Sequence, residues 1–240
     1  MKVGKYDIAI EIFTNIISPG ENNDEYIYEC NNNISECYFY NKMYKESLEV
    51  LEKNIQITID SGRIESRIYN SLMFNKSVRL YYLQKYEEVI DICEKVKVYM
   101  VDKKYTKKEI YDLNHLIADC YIYLEKQDQA ITYYNLCWTF ILTQKDNTSD
   151  LIIILEKIAS CFEAMKKPEE ELTILYKLSV LMDIKVGVES MGSQKIKLRI
   201  SEIYILEKKY KEAFNILEKL VEIGKVYYGE GSEAAIISIE

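Results

Sequence analysis

Glycine and proline are scarce, at 8 and 2 of 240 residues. Strand-rich folds use such residues at their tight turns, so the shortage argues against them and for long helices joined by short polar loops. Basic charge is outnumbered, with 31 Lys and Arg against 39 Asp and Glu, for a net charge of −8. A phosphate backbone would be repelled on average, so nucleic-acid binding through this chain is not expected. No apolar run approaches the roughly 20 residues needed to span a bilayer, so no membrane contact is expected. The opening MKVGKYDIAIEIF carries charges and no small-residue cleavage site, so it does not read as a secretory signal. Histidine occurs once, at His115, and the six cysteines form no CxxC pair. Such scattered thiols suit a reducing cytosol better than a disulfide framework, and the expected location is cytoplasmic. What the chain does have is 48% apolar residues, enough for a substantial core, and 22 tyrosines.

It also has a repeat. The phrases GKYDIAI from Gly4, KMYKESL from Lys42, QKYEEVI from Gln84, EKQDQAI from Glu125, KKPEEEL from Lys166 and KKYKEAF from Lys208 each open a helix. Their third residues, Tyr6, Tyr44, Tyr86, Gln127, Pro168 and Tyr210, are spaced by 38, 42, 41, 41 and 42. Three residues later stand Ala9, Ser47, Val89, Ala130, Glu171 and Ala213. Mostly small side chains there let one helix approach another closely. Twelve residues before that position, in the preceding helix, lie Ser35, Ser77, Ala118, Ala159 and Ser201, each followed three residues on by Tyr38, Leu80, Tyr121, Phe162 or Tyr204. Small beside large, recurring in both helices, is how the two arms of a helical hairpin interlock.

This pattern resembles the tetratricopeptide repeat, over essentially the whole chain. The unit is longer than the usual period of about 34 residues, leaving roughly one extra turn per helix. In that it resembles the repeats of kinesin light chains and of the peptide-sensing bacterial regulators of the Rap, PlcR and NprR group. VYYGEGSEAA from Val226 is similar to the join between such long repeats. HEAT and armadillo repeats of similar period lack the paired small residues and rank second. The resemblance implies an all-α, right-handed superhelical solenoid of about 11 helices in a single domain, 1–240. A lone helix at 4–17 would precede hairpins at 24–61, 64–103, 107–145, 148–186 and 189–228. Within them the helix pairs are expected at 24–41 and 44–61, 64–84 and 86–103, 107–125 and 127–145, 148–166 and 168–186, and 189–208 and 210–228. Asp24, Thr106 and Ser149 are the expected N-caps, and Pro168 suits a first helical turn. Terminal repeats normally need capping, and both ends look cut, so a longer natural protein is expected.

Catalytic equipment is missing, and no enzyme is expected. No motif places a nucleophile beside His115. Cys37, Cys120 and Cys161 share one repeat position, too far apart for a common metal ion; with Cys93 and Cys137 on second helices, they read as small buried hydrophobes. Glu87, Glu88 and Glu169–Glu171 fall in first turns, where the helix dipole favours negative charge, and no calcium-loop spacing surrounds them. GEGS at 229–232 lacks the strand and the lysine of a phosphate loop. No cofactor or metal is implied.

Binding is the remaining reading. On the first helix of a tetratricopeptide hairpin, the resemblance places certain offsets from the small residue in a concave groove. Those are Asn32, Glu36, Phe39 and Tyr40; then Phe74, Val78, Tyr81 and Tyr82; then Asp112, His115, Asp119 and Tyr123. Further along come Glu156, Ser160 and Glu163, then Leu198, Glu202 and Ile205. An aromatic stripe with acidic neighbours suits a peptide carrying apolar and basic side chains. The rings would stack on it, and Glu36 and Asp119 would pair with its basic residues. A groove filled by a flanking repeat, a terminal helix or a dimer partner is the alternative, and a homodimer stays open. The function expected is the ligand-sensing module of a cytoplasmic bacterial regulator, of the kind that serves quorum sensing and transcription regulation, with a DNA-binding domain outside this chain. A general protein-interaction scaffold without a signal peptide is the second reading.

Overall fold

The computed structural model describes residues 3–17, 24–103, 105–145 and 147–228. Every regular element among them is an α-helix: α1 (Val3–Ile16), α2 (Asp24–Tyr40), α3 (Tyr44–Asp60), α4 (Arg67–Tyr82), α5 (Tyr86–Asp102), α6 (Lys107–Tyr123), α7 (Gln127–Ile141), α8 (Thr148–Ala164), α9 (Pro168–Val186), α10 (Met191–Leu206) and α11 (Tyr210–Tyr228). They fall into two compact units, Met1–Glu125 and Lys126–Glu240. In the first, each helix from α1 to α6 packs on the next, and α4 also meets α6; in the second, the same serial packing runs from α7 to α11. This is the all-α helical-repeat fold.

Helices start where polar side chains can take up orphan backbone N–H groups. The Thr106 hydroxyl accepts from the backbone N–H of Glu109, whose carboxylate accepts from the backbone N–H of Thr106, a reciprocal capping box. Ser66 and Ser190 accept in the same way from Tyr69 and Ser193 at 3.1 and 3.2 Å. These serines explain why α4 and α10 begin later than the repeat spacing suggests. Pro168 sits in the first turn of α9, as expected. Ser149 is no cap: α8 starts at Thr148 behind Asn147, whose amide donates back to the carbonyls of Ile141 and Gln144. The side chain of Asp24 lies outside the described residues.

First helices also stop one or two residues short of expectation, and one turn geometry is responsible. Lys42, Gln84, Glu125, Lys166 and Lys208 all have φ between 55° and 62°, the left-handed region that glycine normally supplies. The following backbone N–H reaches back to the third-last helical carbonyl: Met43 to Tyr38, Lys85 to Leu80, Lys167 to Phe162 and Lys209 to Tyr204. That six-to-one bond closes a Schellman motif and ends the helix without any glycine signal in the sequence.

The twelve-residue pairing is realised as contact. Ser35 and Ser47 are fully buried, and each hydroxyl donates to the other residue's carbonyl, at 2.9 and 2.7 Å. Ser77, Val89, Ala159, Ser201 and Ala213 are likewise buried. Glu171 is the exception of type but not of burial, at 4% exposure. Its carboxylate accepts from Nε and NH2 of Arg199 on α10, at 2.8 and 3.3 Å, and Arg199 also reaches Glu163 at 3.0 Å and Glu202 at 3.3 Å. A buried charge survives at a small-residue position because a guanidinium is fixed against it. In the first unit, Arg79 on α4 makes the corresponding reach to Ser47, Nε to Oγ at 3.2 Å. An arginine from the next hairpin thus clamps the previous one in both units.

Candidate functional site

The site begins with the first helices of the first unit. Asn32 and Glu36 on α2, Phe74 and Val78 on α4, and Asp112, His115 and Asp119 on α6 are all half-buried. Phe74 and Val78 face Asp112 and His115 across a cavity of about 400 Å³, completed by Tyr111 and Leu116. Four of the positions that the resemblance implies for the groove therefore line one cavity. His115 Nδ1 lies 3.4 Å from Asp119 Oδ2, one turn along the same helix, and its ring centroid is 5.9 Å from that of Tyr111. Beside it the Lys108 ammonium bonds Asp112 at 2.7 Å and sits 4.5 Å from the Tyr111 ring centroid. The cavity wall is thus aromatic and aliphatic, and its rim is acidic.

Glu36 has a partner that spacing did not assign. Arg79, 3% exposed, donates through NH2 to Glu36 Oε1, and its guanidinium carbon lies 4.5 Å from the Phe39 ring centroid. Burial of Arg79 demands a counter-charge, and Glu36 supplies it. The expected role of Glu36 as a receiver of a ligand's basic residue is corrected accordingly: this carboxylate is engaged within the chain.

The tyrosines form a ladder. Tyr40, Tyr82 and Tyr123 end α2, α4 and α6; each stacks on a tyrosine in the first turn of the preceding second helix. The centroid distances are 5.8 Å for Tyr6–Tyr40, 4.7 Å for Tyr44–Tyr82 and 4.7 Å for Tyr86–Tyr123. Phe39 lies edge-on to Tyr40 and Tyr82, and Tyr81 edge-on to Tyr82, Tyr86 and Tyr123, all within 5.9 Å. Rings expected to stack on a ligand therefore already stack on one another along one side, as aromatic pairs prefer. Tyr40, Tyr82 and Tyr123 keep their other side open, at 62, 48 and 57% exposure. Burial pushes the Tyr81 hydroxyl far above its usual range, aided by a hydrogen bond to Tyr123 and the charge of Asp119. In the second unit Gln127 and Pro168 open helices, and Ala164 and Leu206 end them, where ladder tyrosines would stand. There the expected groove positions Glu156, Ser160, Glu163, Glu202 and Ile205 are exposed and Leu198 is half-buried.

The thiols are free, and Cys30, Cys93, Cys120, Cys137 and Cys161 are buried. Burial raises the Cys93 thiol to about 12 and the Cys161 thiol to about 11. Among the described residues no three His, Cys, Asp or Glu side chains cluster as metal ligands would. Nor is any described helix long and apolar enough to cross a membrane.

Residues 111–138 and 195–225 match the tetratricopeptide-repeat family profile. Those two segments carry tetratricopeptide repeats. No curated protein matches the sequence. Among solved structures, nearly identical TPR-like repeats assigned to a kinesin light chain of Podosopora anserina align over 85% of this chain and 97% of that one, with TM-score 0.64 and 14% identity. BtubC of P. vanneervenii aligns over 97% of this chain and 93% of its own, with TM-score 0.65 and 6% identity. The apo quorum sensor NprR of B. thuringiensis aligns over 98% of this chain and 62% of its own, with TM-score 0.61 and 14% identity. NprR in complex with its cognate peptide NprX aligns over 93% of this chain and 68% of its own, with TM-score 0.57 and 12% identity. At such identities the likeness is one of fold, that of long tetratricopeptide repeats.

Proposed function

We propose that the first unit binds a peptide, or an extended segment of a protein, across the first-helix face that holds the Phe74–His115 cavity. The observation that carries this is the cavity itself, formed by α4 and α6 at positions that the resemblance to tetratricopeptide repeats implies for a groove. An aliphatic or aromatic side chain of the ligand would enter between Phe74, Val78 and Leu116. Its backbone would run over the open faces of Tyr82 and Tyr123, and Asp119 would attract basic groups. In this reading the chain is the ligand-sensing module of a bacterial cytoplasmic regulator, and binding biases the relative rotation of successive repeats, which repositions attached domains. NprR, similar in fold, was crystallised with its cognate peptide, which supports the class of ligand. A general interaction scaffold is the second reading, favoured by the equal likeness to kinesin light chain repeats.

Native mass spectrometry of the protein purified from its own host is the test. A co-purifying peptide of several residues, released on denaturation and lost in His115→Ala, would support the sensor. A larger protein partner lost in the same variant would leave the scaffold. Partners retained equally by wild type and His115→Ala would place binding elsewhere and sink both.

A further inference from the structure

Position equivalence carries one inference beyond the first-helix face, on the second helices of the second unit. Trp138 on α7, eight residues after Ala130, is half-buried, and the Lys177 ammonium of α9 lies 4.8 Å from its ring centroid. Lys177 stands six residues after Glu171. The groove between these two second helices is therefore filled by an indole and lidded by a cation. One repeat further, the same offsets give Ser179 on α9, eight after Glu171, and Lys219 on α11, six after Ala213. Among the described residues the groove there is open. A cavity of about 460 Å³ is lined by Ser179, Ile200, Ile216, Leu220 and Ile223, with Lys219 and Glu222 among its polar lining. Ser179 is 7% exposed, so its small side chain sits at the bottom where an indole would otherwise stand. Two rim groups are held in place: Lys197 by Asp183 at 2.8 Å, and the Tyr176 hydroxyl by that of Tyr204 at 2.7 Å. Lys219, by contrast, has no ion pair among the described residues. The first unit repeats the arrangement at α1 and α3, where a cavity of about 650 Å³ has Ile17 and Lys53 at the same two offsets.

We propose that the cavity between α9 and α11 is a receptor site for a tryptophan side chain of a partner protein. The indole would occupy the place that Trp138 fills one repeat earlier, with its face under the Lys219 ammonium. Charge and shape both select it, because an apolar floor takes the ring and the lysine prefers an electron-rich π face over an aliphatic chain. A second copy of this chain is a poor donor, since its single tryptophan is already seated under Lys177. The site is lined by α9, α10 and α11 of the second unit, so it is distinct from the first-unit face proposed above.

The test uses N-acetyl-tryptophanamide and N-acetyl-leucinamide as probes, titrated into the intact chain and followed by protein amide NMR shifts. Expected are shifts around Ile200, Ile216 and Ile223 with the tryptophan probe, and at least about threefold weaker binding of the leucine probe. Ser179→Trp should fill the cavity from within and abolish binding. Lys219→Met, a surface change that leaves the fold intact, should weaken the tryptophan probe about threefold and leave the leucine probe unchanged. Equal affinity for both probes, no shifts with either, or binding that survives Ser179→Trp would each overturn the proposal. Self-association of the chain that disappears in Ser179→Trp would overturn it too, by making a second copy the occupant.

Discussion

Arg199→Ala should damage the second unit more than its partial exposure suggests, because of what it leaves behind. Glu171 has a side chain 5% exposed and occupies a position built for alanine or serine. Stripped of Arg199, that carboxylate is a buried charge without a counter-ion, which costs about 3 kcal/mol. Glu171→Ala is milder, at about 1–2 kcal/mol for lost charged hydrogen bonds. Alanine fits the helix contact, and Arg199, 30% exposed, keeps Glu163 and Glu202 at the surface. In that background, removing Arg199 as well should cost under about 1 kcal/mol, since only exposed pairs remain. The double-mutant cycle should therefore show a coupling of about 2 kcal/mol. Urea unfolding followed by Trp138 fluorescence reports on the same unit. Additive single effects, or Glu171→Ala costing more than Arg199→Ala, would refute the argument.

Further outcomes follow from other features. Gln84→Gly and Lys208→Gly relieve a left-handed backbone that disfavours a Cβ by about 1–2 kcal/mol, less the unfolded-state entropy glycine adds, for a net gain of about 0.5–1 kcal/mol each. Thermal melts should rise by a few degrees, whereas alanine at either position should give no gain. Thr106→Ala removes a capping box and should cost about 1 kcal/mol. The Thr106 hydrogen bond, with help from Arg67, holds the Glu109 carboxyl below its usual range. Its contribution is thus complete above the ordinary carboxylate pKa and is lost as pH falls through the lowered value. An NMR titration of Glu109 should find the shift reduced in Thr106→Ala. With native protein at pH 8, a thiol reagent should modify Cys37, the one half-buried thiol, well before the other five; fast reaction at Cys93 would contradict its packing.

Much of this fold was legible because spacing, read with the repeat it resembles, identifies faces. A 41–42 residue period with small residues twelve apart brought Ser35 onto Ser47, and groove offsets brought Phe74 and Val78 opposite Asp112 and His115. Spacing does not identify partners. Arg79 sits two residues after Ser77 on a face that reads as core, and only the packed helices show its guanidinium reaching Glu36, Ser47 and Phe39. The helix-opening Tyr44 and Tyr86 were visible as repeat markers, but their stacking on Tyr82 and Tyr123 joins different hairpins, which a one-dimensional pattern cannot register. The ends of first helices were overrun by one or two residues for a local reason: the left-handed turns carry lysine, glutamine or glutamate, so the glycine that normally announces such a stop is absent. Glu171 looked like a defect in its repeat until Arg199, twenty-eight residues later, gave it a counter-charge.

The unequal placement of aromatic rings gives each unit its own optical signature. Coupled tyrosines at 4.7 Å in near-parallel pairs belong to the first unit, and should give it a near-ultraviolet circular-dichroism band that disappears when the ladder separates. The single indole belongs to the second and reports by fluorescence. Without any label, one sample can therefore be followed at two wavelengths during heating. Coincident transitions would mean that the repeats melt as one cooperative body, and staggered ones that each half holds its own thermodynamic identity.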